Sequence, residues 1–217
     1  MIDEPPAQRS GIFSIDFLRR RSGDLILFGV TAVEMWLLLR EIKEFKLIDW
    51  VYVLANVYVL VIALTRRAPQ QQDRSIAAAI AVIVSYGYPY AQVIVLKRTA
   101  GFEVSHNVGL VLVIAGACGS LTSLLALGRF FGVRPALRGL VTRGPYRIVR
   151  NPIYVSYMIA DIGYNLQEWS YITLILVAAG WASMIYRIFA EERMLSGDPS
   201  WSDYAGRVRY RLLPGIW

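Results

Sequence analysis

The chain has 217 residues, 56% of them hydrophobic, and a mean hydropathy of +0.44, whereas a soluble domain of this size is usually nearer ~45–50% apolar. Its 23 Lys+Arg against 16 Asp+Glu give a formal charge of +7. The basic residues sit at the ends of apolar runs, which assigns them to membrane topology and anionic headgroups and argues against nucleic acid. One cysteine, Cys118, and one histidine, His106, exclude a disulfide framework and a His/Cys metal cluster.

This composition describes an all-α, polytopic helical membrane protein with five or six transmembrane helices. Three regions follow: a cytosolic tail (1–23), a four-helix membrane region (24–127), and a region carrying the chemistry (128–217). The tail opens acidic and reaches its first apolar run only after Arg19, Arg20 and Arg21, with no small-residue cleavage site. It therefore reads as a cytosolic segment with an interfacial amphipathic turn (Ile12, Phe13, Ile15, Phe17, Leu18), not a signal peptide. Residues 25–39 are short for a span, which needs roughly 20 residues, but Arg21 and Arg40 can snorkel from its ends. Residues 47–64 form the second run, stopped by Arg66, Arg67 and Pro69. The tripeptide Gln70, Gln71, Gln72 is too short to carry meaning. Residues 76–96 form the third run, with a kink expected at Gly87 and Pro89. Residues 107–127 form the fourth, whose Gly109, Ala115, Gly116, Ala117 and Gly119 suit close helix packing.

Two further runs follow: 153–167, amphipathic and tyrosine-rich, read as a partial or tilted span, and 170–189. With the N-terminus cytosolic, 18 of the 23 basic residues fall on inner segments, so both termini and residues 140–154 face the cytosol. Glu34, Asn56 and Asp161 are costly in hydrocarbon and are expected to face protein or water. Asp161, two turns beyond Tyr154, either lines an acceptor path or makes an interhelical hydrogen bond. His106 and Cys118 read as structural or interfacial.

The stretch with chemical content is LVTRGPYRIVRNPIY (140–154). Gly144, Pro145 and Tyr146 turn the chain tightly enough to pass close to a ligand. Arg150, Asn151 and Pro152 turn it again, because the residue before proline is pushed out of helical conformation while proline suits a first helical turn. A helix N-terminus at Pro152, with Tyr154 in its first turn, offers free backbone N–H groups to an anionic or acceptor-rich ligand. Across about thirty-five mostly apolar residues stands a second element, Arg187 with Glu191 and Glu192. Adjacent carboxylates on a helix point in different directions. One is expected to turn toward the site and accept hydrogen bonds from ribose hydroxyls or an ammonium, the other to pair with an arginine. Arg147 and Arg150 are candidate clamps for an anionic group.

From about residue 127 onward, this stretch with EERML and WSDYAGRVRYRLLPGIW resembles the isoprenylcysteine carboxyl methyltransferase and phospholipid methyltransferase superfamily of membrane enzymes. The resemblance implies S-adenosylmethionine as cofactor, bound on the cytosolic face. It implicates Arg150, Asn151, Pro152 and Tyr154 on one side, Glu191 and Glu192 on the other, with Arg150, Asn151 and Tyr154 nearest the chemistry. Tyr204 and the closing Leu213, Pro214 and Gly215 match a tail that helps close the pocket. Two residues depart from the pattern. Asn151 stands where histidine is usual and cannot carry charge. Ser156 replaces a glycine and is expected to narrow the pocket.

The expected acceptor is hydrophobic or lipid-like and enters from the bilayer, with its specificity set by the first three spans. Carboxylate O-methylation is favoured, since a carboxylate is already ionised at neutral pH and no histidine lies on the motif side. Phospholipid amine N-methylation is the other candidate. Two alternatives stand beside these. One is an NADPH-dependent sterol-type reductase, whose C-terminal half is similar. The other is a non-catalytic membrane protein that retains the fold.

Overall fold

The computed structural model describes residues 47–65, 69–96, 101–215 and 217, with scattered residues between 28 and 40. The expected tail, its interfacial turn and nearly half of the first apolar run, Glu34 included, lie outside these. The later runs become helices close to where hydropathy sets them: α1 (Leu47–Thr65), α2 (Ile76–Leu96), α3 (His106–Leu127), α4 (Pro152–Gln167) and α5 (Tyr171–Leu195), followed by a short α6 (Trp201–Arg207).

Local chemistry fixes the ends. Ser105 caps α3 by accepting from the Val108 N–H, and Gly128, at φ 51°, closes it. Pro152 opens α4. Ser170 and Thr173 bond reciprocally to each other's backbone N–H at the start of α5. α2 runs through Pro89 as one continuous helical span. α5 outruns the apolar stretch that announced it, since Ala190 to Leu195 (AEERML) are good helix formers even though half are charged. Glu191 and Glu192 thus sit inside the helix, a turn before its end.

Two antiparallel helix pairs build the body. α3 and α4 meet through small residues. A Cβ added at Gly116 would lie 2.6 Å from the Ser156 carbonyl oxygen, and one at Gly163 2.6 Å from the Gly109 carbonyl oxygen. α2 and α5 meet through the Tyr88 ring, which lies flush on Gly180. Asp161 of α4 joins the pairs, accepting from Tyr88 Oη at 2.7 Å and Trp181 Nε1 at 2.8 Å. The core under the motif is Tyr88, Leu124, Phe131, Ile153, Met184 and Ile188.

A two-residue ladder pairs β1 (Gln71–Gln72) antiparallel with β2 (Ala136–Leu137), continued by Gln70 N–H to the Leu137 carbonyl at 2.8 Å. The glutamine tripeptide dismissed on length therefore has a task. It ties the entry of α2 to the loop after α3. At the opposite end, Phe102 and Trp169 exchange backbone hydrogen bonds, and Trp169 packs edge-on to Tyr171.

Among the described residues, two helices are long and apolar enough to cross a bilayer: 106–130, with mean hydropathy 2.2, and Tyr171–Leu195, with 1.7. Only 28% and 33% of those windows are buried, so Val108, Val111, Ile172 and Ile175 project outward. Outward apolar faces on helices whose backbone groups are internally satisfied suit hydrocarbon. The chain is a mostly helical integral membrane protein.

Candidate active site

The first turn of α4 and the last turns of α5 face each other across a cavity of about 100 Å³. The segment between α3 and α4 closes it. Gly144, at φ 59°, starts a 3-10 turn, Gly144–Arg147, that buries Tyr146. Gly139, at φ 128°, passes under Phe130, whose ring a Cβ there would strike at 2.5 Å.

The two carboxylates have different partners. Glu192 is 8% exposed. Its Oε1 accepts from Arg150 Nε at 2.9 Å and from Asn151 Nδ2 at 3.1 Å, and its Oε2 from Arg211 Nε at 2.9 Å. Glu191 Oε1 accepts from Tyr154 Oη at 2.6 Å and lies 3.6 Å from Arg187 Nη2. Arg187 is itself fixed from two other elements: Nη1 donates to Ser85 Oγ at 2.8 Å and Nη2 to the Val133 carbonyl at 3.0 Å. Its guanidinium also rests 5.5 Å from the Tyr86 and Tyr154 rings, a favourable cation–π range.

Asn151 thus donates to Glu192 from the position where histidine is usual. A neutral amide suffices for that bond, and no titrating group is needed for it.

Opposite, Tyr204 Oη donates to the Tyr146 carbonyl at 2.8 Å, and Trp201 stacks near Tyr204 and under Arg150. Burial, reinforced by the charge of Glu192 and opposed by Arg150, pushes the Tyr204 phenol up to about 12. Burial and the Glu191 charge push Tyr146 well above the ordinary phenol range. Both are neutral at physiological pH.

Of the expected site residues, Tyr146, Arg150, Asn151, Tyr154, Glu191, Glu192 and Tyr204 line the cavity. Gly144, Pro145 and Pro152 do not; they shape the backbone that presents the others. Leu213, Pro214 and Gly215 are likewise absent from its walls. Ser156 does not narrow the pocket: its Oγ donates to the Pro152 carbonyl, and its side chain faces Gly119 of α3. Arg147 is exposed and away from the cavity, whereas Arg138, counted in the sequence only as an inner-face charge, and Arg187, named there beside Glu191 and Glu192, line it and are almost fully buried. Tyr86, Phe130 and Trp201 complete the walls. Trp201 could have been found from its three-residue spacing to Tyr204, which puts both on one helical face. Asp161 stays out of this cavity but borders an apolar groove of about 510 Å³ along α4 and α5, with Asn165, Leu166, Trp169 and Trp181. Cys118 is exposed, and His106 begins α3, at the far end from the cavity.

Residues 104–197 match the family model described as phospholipid methyltransferase, which confirms the resemblance read from the sequence over both walls of the cavity. Comparison with curated proteins gives no match. Among solved structures, the eukaryotic intramembrane Ras methyltransferase ICMT (isoprenylcysteine carboxyl methyltransferase) is 22% identical, covering 95% of this chain and 88% of that one, with a TM-score of 0.43.

Proposed function

We propose that this methyltransferase-type membrane protein transfers a methyl group from S-adenosylmethionine to a hydrophobic or amphiphilic acceptor. The observation that carries the reading is the cavity closed between the first turn of α4 and the Glu191–Glu192 turn of α5, both inside the matched family segment.

The residues present fit the donor. Arg138 and Arg150 suit its carboxylate, Glu191 its ribose hydroxyls or ammonium, and the Tyr146, Tyr154 and Tyr204 rings a cationic centre. Bound there, the donor would supply an electrophilic methyl on a sulfonium. The protein's own part is alignment and exclusion of water. Arg187 and Tyr154 hold Glu191 in place, and Phe130 and Trp201 wall the cavity.

Carboxylate O-methylation is favoured over amine N-methylation. The cavity is lined by Arg134, Arg138, Arg150 and Arg187 against Glu191 and Glu192, an excess of positive charge that suits an anionic acceptor, and no histidine is there to take a proton from an amine. The apolar groove along α4 and α5 suits a lipid-like tail. We assign the site and both termini to the cytosolic face, and five or six spans to the whole chain, from the distribution of basic residues; single-cysteine labelling from either side of sealed vesicles tests this. A region-128–217 catalytic part and an acceptor-selecting 24–127 part complete the reading.

The test is calorimetric titration of detergent-purified protein with S-adenosylhomocysteine, beside Glu191→Gln and the double variant Glu191→Ala, Glu192→Ala, with NADPH as control. Binding lost in both variants supports the proposal. Folded, unmutated protein that ignores the ligand sinks it, leaving a reductase if NADPH binds and a non-catalytic role if neither does.

A further inference from the structure

Arg211 lies outside the matched segment and outside the cavity, and within the C-terminal stretch WSDYAGRVRYRLLPGIW it was given no role. Yet it is the second arginine on Glu192. Its Nε donates to Oε2 at 2.9 Å, the oxygen that Arg150 and Asn151 leave open. Its guanidinium rests 5.2 Å from the Phe189 ring and 5.3 Å from the Trp217 ring, and the two rings lie 5.6 Å apart. The cation therefore closes a triangle with two aromatics, one on α5 and one ten residues beyond α6.

The backbone does as much as the side chain. The Arg211 carbonyl accepts from the Asn151 N–H at 3.0 Å, and the Tyr210 carbonyl from the Arg150 N–H at 2.9 Å. The Trp217 carbonyl, in turn, accepts from the N–H groups of Arg211, Leu212 and Leu213 at 2.8 to 3.3 Å. Residues 210–213 and Trp217 thus form a brace whose one end holds the backbone of the motif and whose other end holds the ring that flattens Arg211. An arginine fork ordered in this way loses less rotamer freedom on pairing than a free one.

We infer that Arg211 is a positioning residue: braced by Phe189 and Trp217, it fixes Glu192, and through Glu192 it sets Arg150 and Asn151 at the wall of the methyl-donor cavity. The effect reaches the cavity without contact, because Glu192 has only two oxygens and all three donors share them. Releasing Oε2 lets the carboxylate rotate and takes the Arg150 and Asn151 hydrogen bonds with it. This rests on reading the cavity as the donor site, and the experiment separates the two ideas.

Four variants are compared with unmutated protein: Arg211→Lys, which keeps the charge and loses the planar fork; Trp217→Ala; Trp217→Phe; and Arg209→Ala, an exposed control. S-adenosylhomocysteine affinity is read by calorimetry, and amide hydrogen exchange at Arg150 and Asn151 is read without ligand. Loss of one hydrogen bond to a buried charge predicts roughly tenfold weaker binding for Arg211→Lys and Trp217→Ala. Trp217→Phe and Arg209→Ala are expected to bind within about twofold of the unmutated protein, a ring restoring the brace. Exchange at Arg150 and Asn151 speeds up in the two weakened variants only. A purely structural tail would lower thermal stability without this pattern of rescue, and equal affinity in all five proteins overturns the inference. If the unmutated protein binds no ligand, the proposed function fails on its own. The brace is then judged by exchange alone, and unchanged exchange in Trp217→Ala overturns it.

Discussion

The two helix pairs reach the same end of the molecule by different physics. α3 and α4 are held by shape: glycines at 109, 116, 119 and 163 let backbone approach backbone, and nothing charged lies between them. α2 and α5 add polar groups to the Tyr88–Gly180 contact: Arg187 donates to Ser85, and Asp161 of α4 bridges the two helices by accepting from Tyr88 and Trp181. Each pair delivers one wall of the cavity. The wall from the shape-packed pair carries Arg134, Arg138 and Arg150 with the tyrosines, whereas the wall from the polar pair carries the two carboxylates and Arg187. In lipid, where hydrocarbon gains nothing from being buried, these are the two available ways to make helices adhere.

Breaking the polar pair is expected to have the larger effect. Arg187→Met leaves Glu191 beside Tyr154 without its cation and strips the Ser85 and Val133 contacts. Removing one member of a buried ion pair typically costs about 3–5 kcal/mol, read as a large drop in detergent unfolding temperature together with lost ligand binding. Breaking the shape-packed pair comes next. Gly116→Leu drives a side chain into the Ser156 carbonyl and Ala160, an overpacking cost of about 1–3 kcal/mol. A Gly116→Leu protein as stable as its parent would mean the seam is looser than described. Asp161→Leu removes the acceptor shared by Tyr88 and Trp181, with a loss of about 1–3 kcal/mol, and is expected to leave S-adenosylhomocysteine affinity near normal because Asp161 does not line that cavity.

Two smaller effects sharpen the contrast. Ser156→Gly restores the residue usual for the superfamily, but on the α3 face. The expected change is about 0.5 kcal/mol of helix propensity and none in ligand affinity; a tighter-binding variant would put Ser156 back in the pocket. Finally, the raised phenols give an alkaline signature. Tyr204 holds its proton until about pH 12 when folded and only to its ordinary value near 10 when unfolded. Above pH 10 the unfolded chain sheds that proton first, so its contribution to stability, complete below pH 10, falls as pH rises toward 12. Unfolding temperature measured from pH 8 to 11.5 is expected to be flat and then decline, less steeply in Tyr204→Phe.

Much of the fold was legible because the apolar runs have sharp stops. Pro69 precedes α2, Ser105 caps α3, and Asn151 with Pro152 starts α4, each a local chemical signal. The end of α5 was not legible from hydropathy, since the helix continues through charged residues that favour helix without being apolar. The β1–β2 ladder was invisible because two residues carry no period. Seven of the ten expected site residues line the cavity, since turns and paired carboxylates mark themselves in sequence. Arg138 could not be told from topological charges, which differ from it only in burial, whereas Arg187 was marked by its place one helical turn before Glu191. Ser156 was assigned to the wrong face, because a small residue at a helix start does not say which neighbour it was made small for.

The brace made by residues 210–213 and Trp217 also orders events in time. Every helix that builds the cavity, and both carboxylates at its wall, are synthesised before Arg211. A chain still emerging into the membrane carries Glu192 with Oε2 unclaimed and the motif backbone without its Tyr210 and Arg211 partners. On the proposed function, the cavity becomes competent for its methyl donor last, after the helices that wall it have been made.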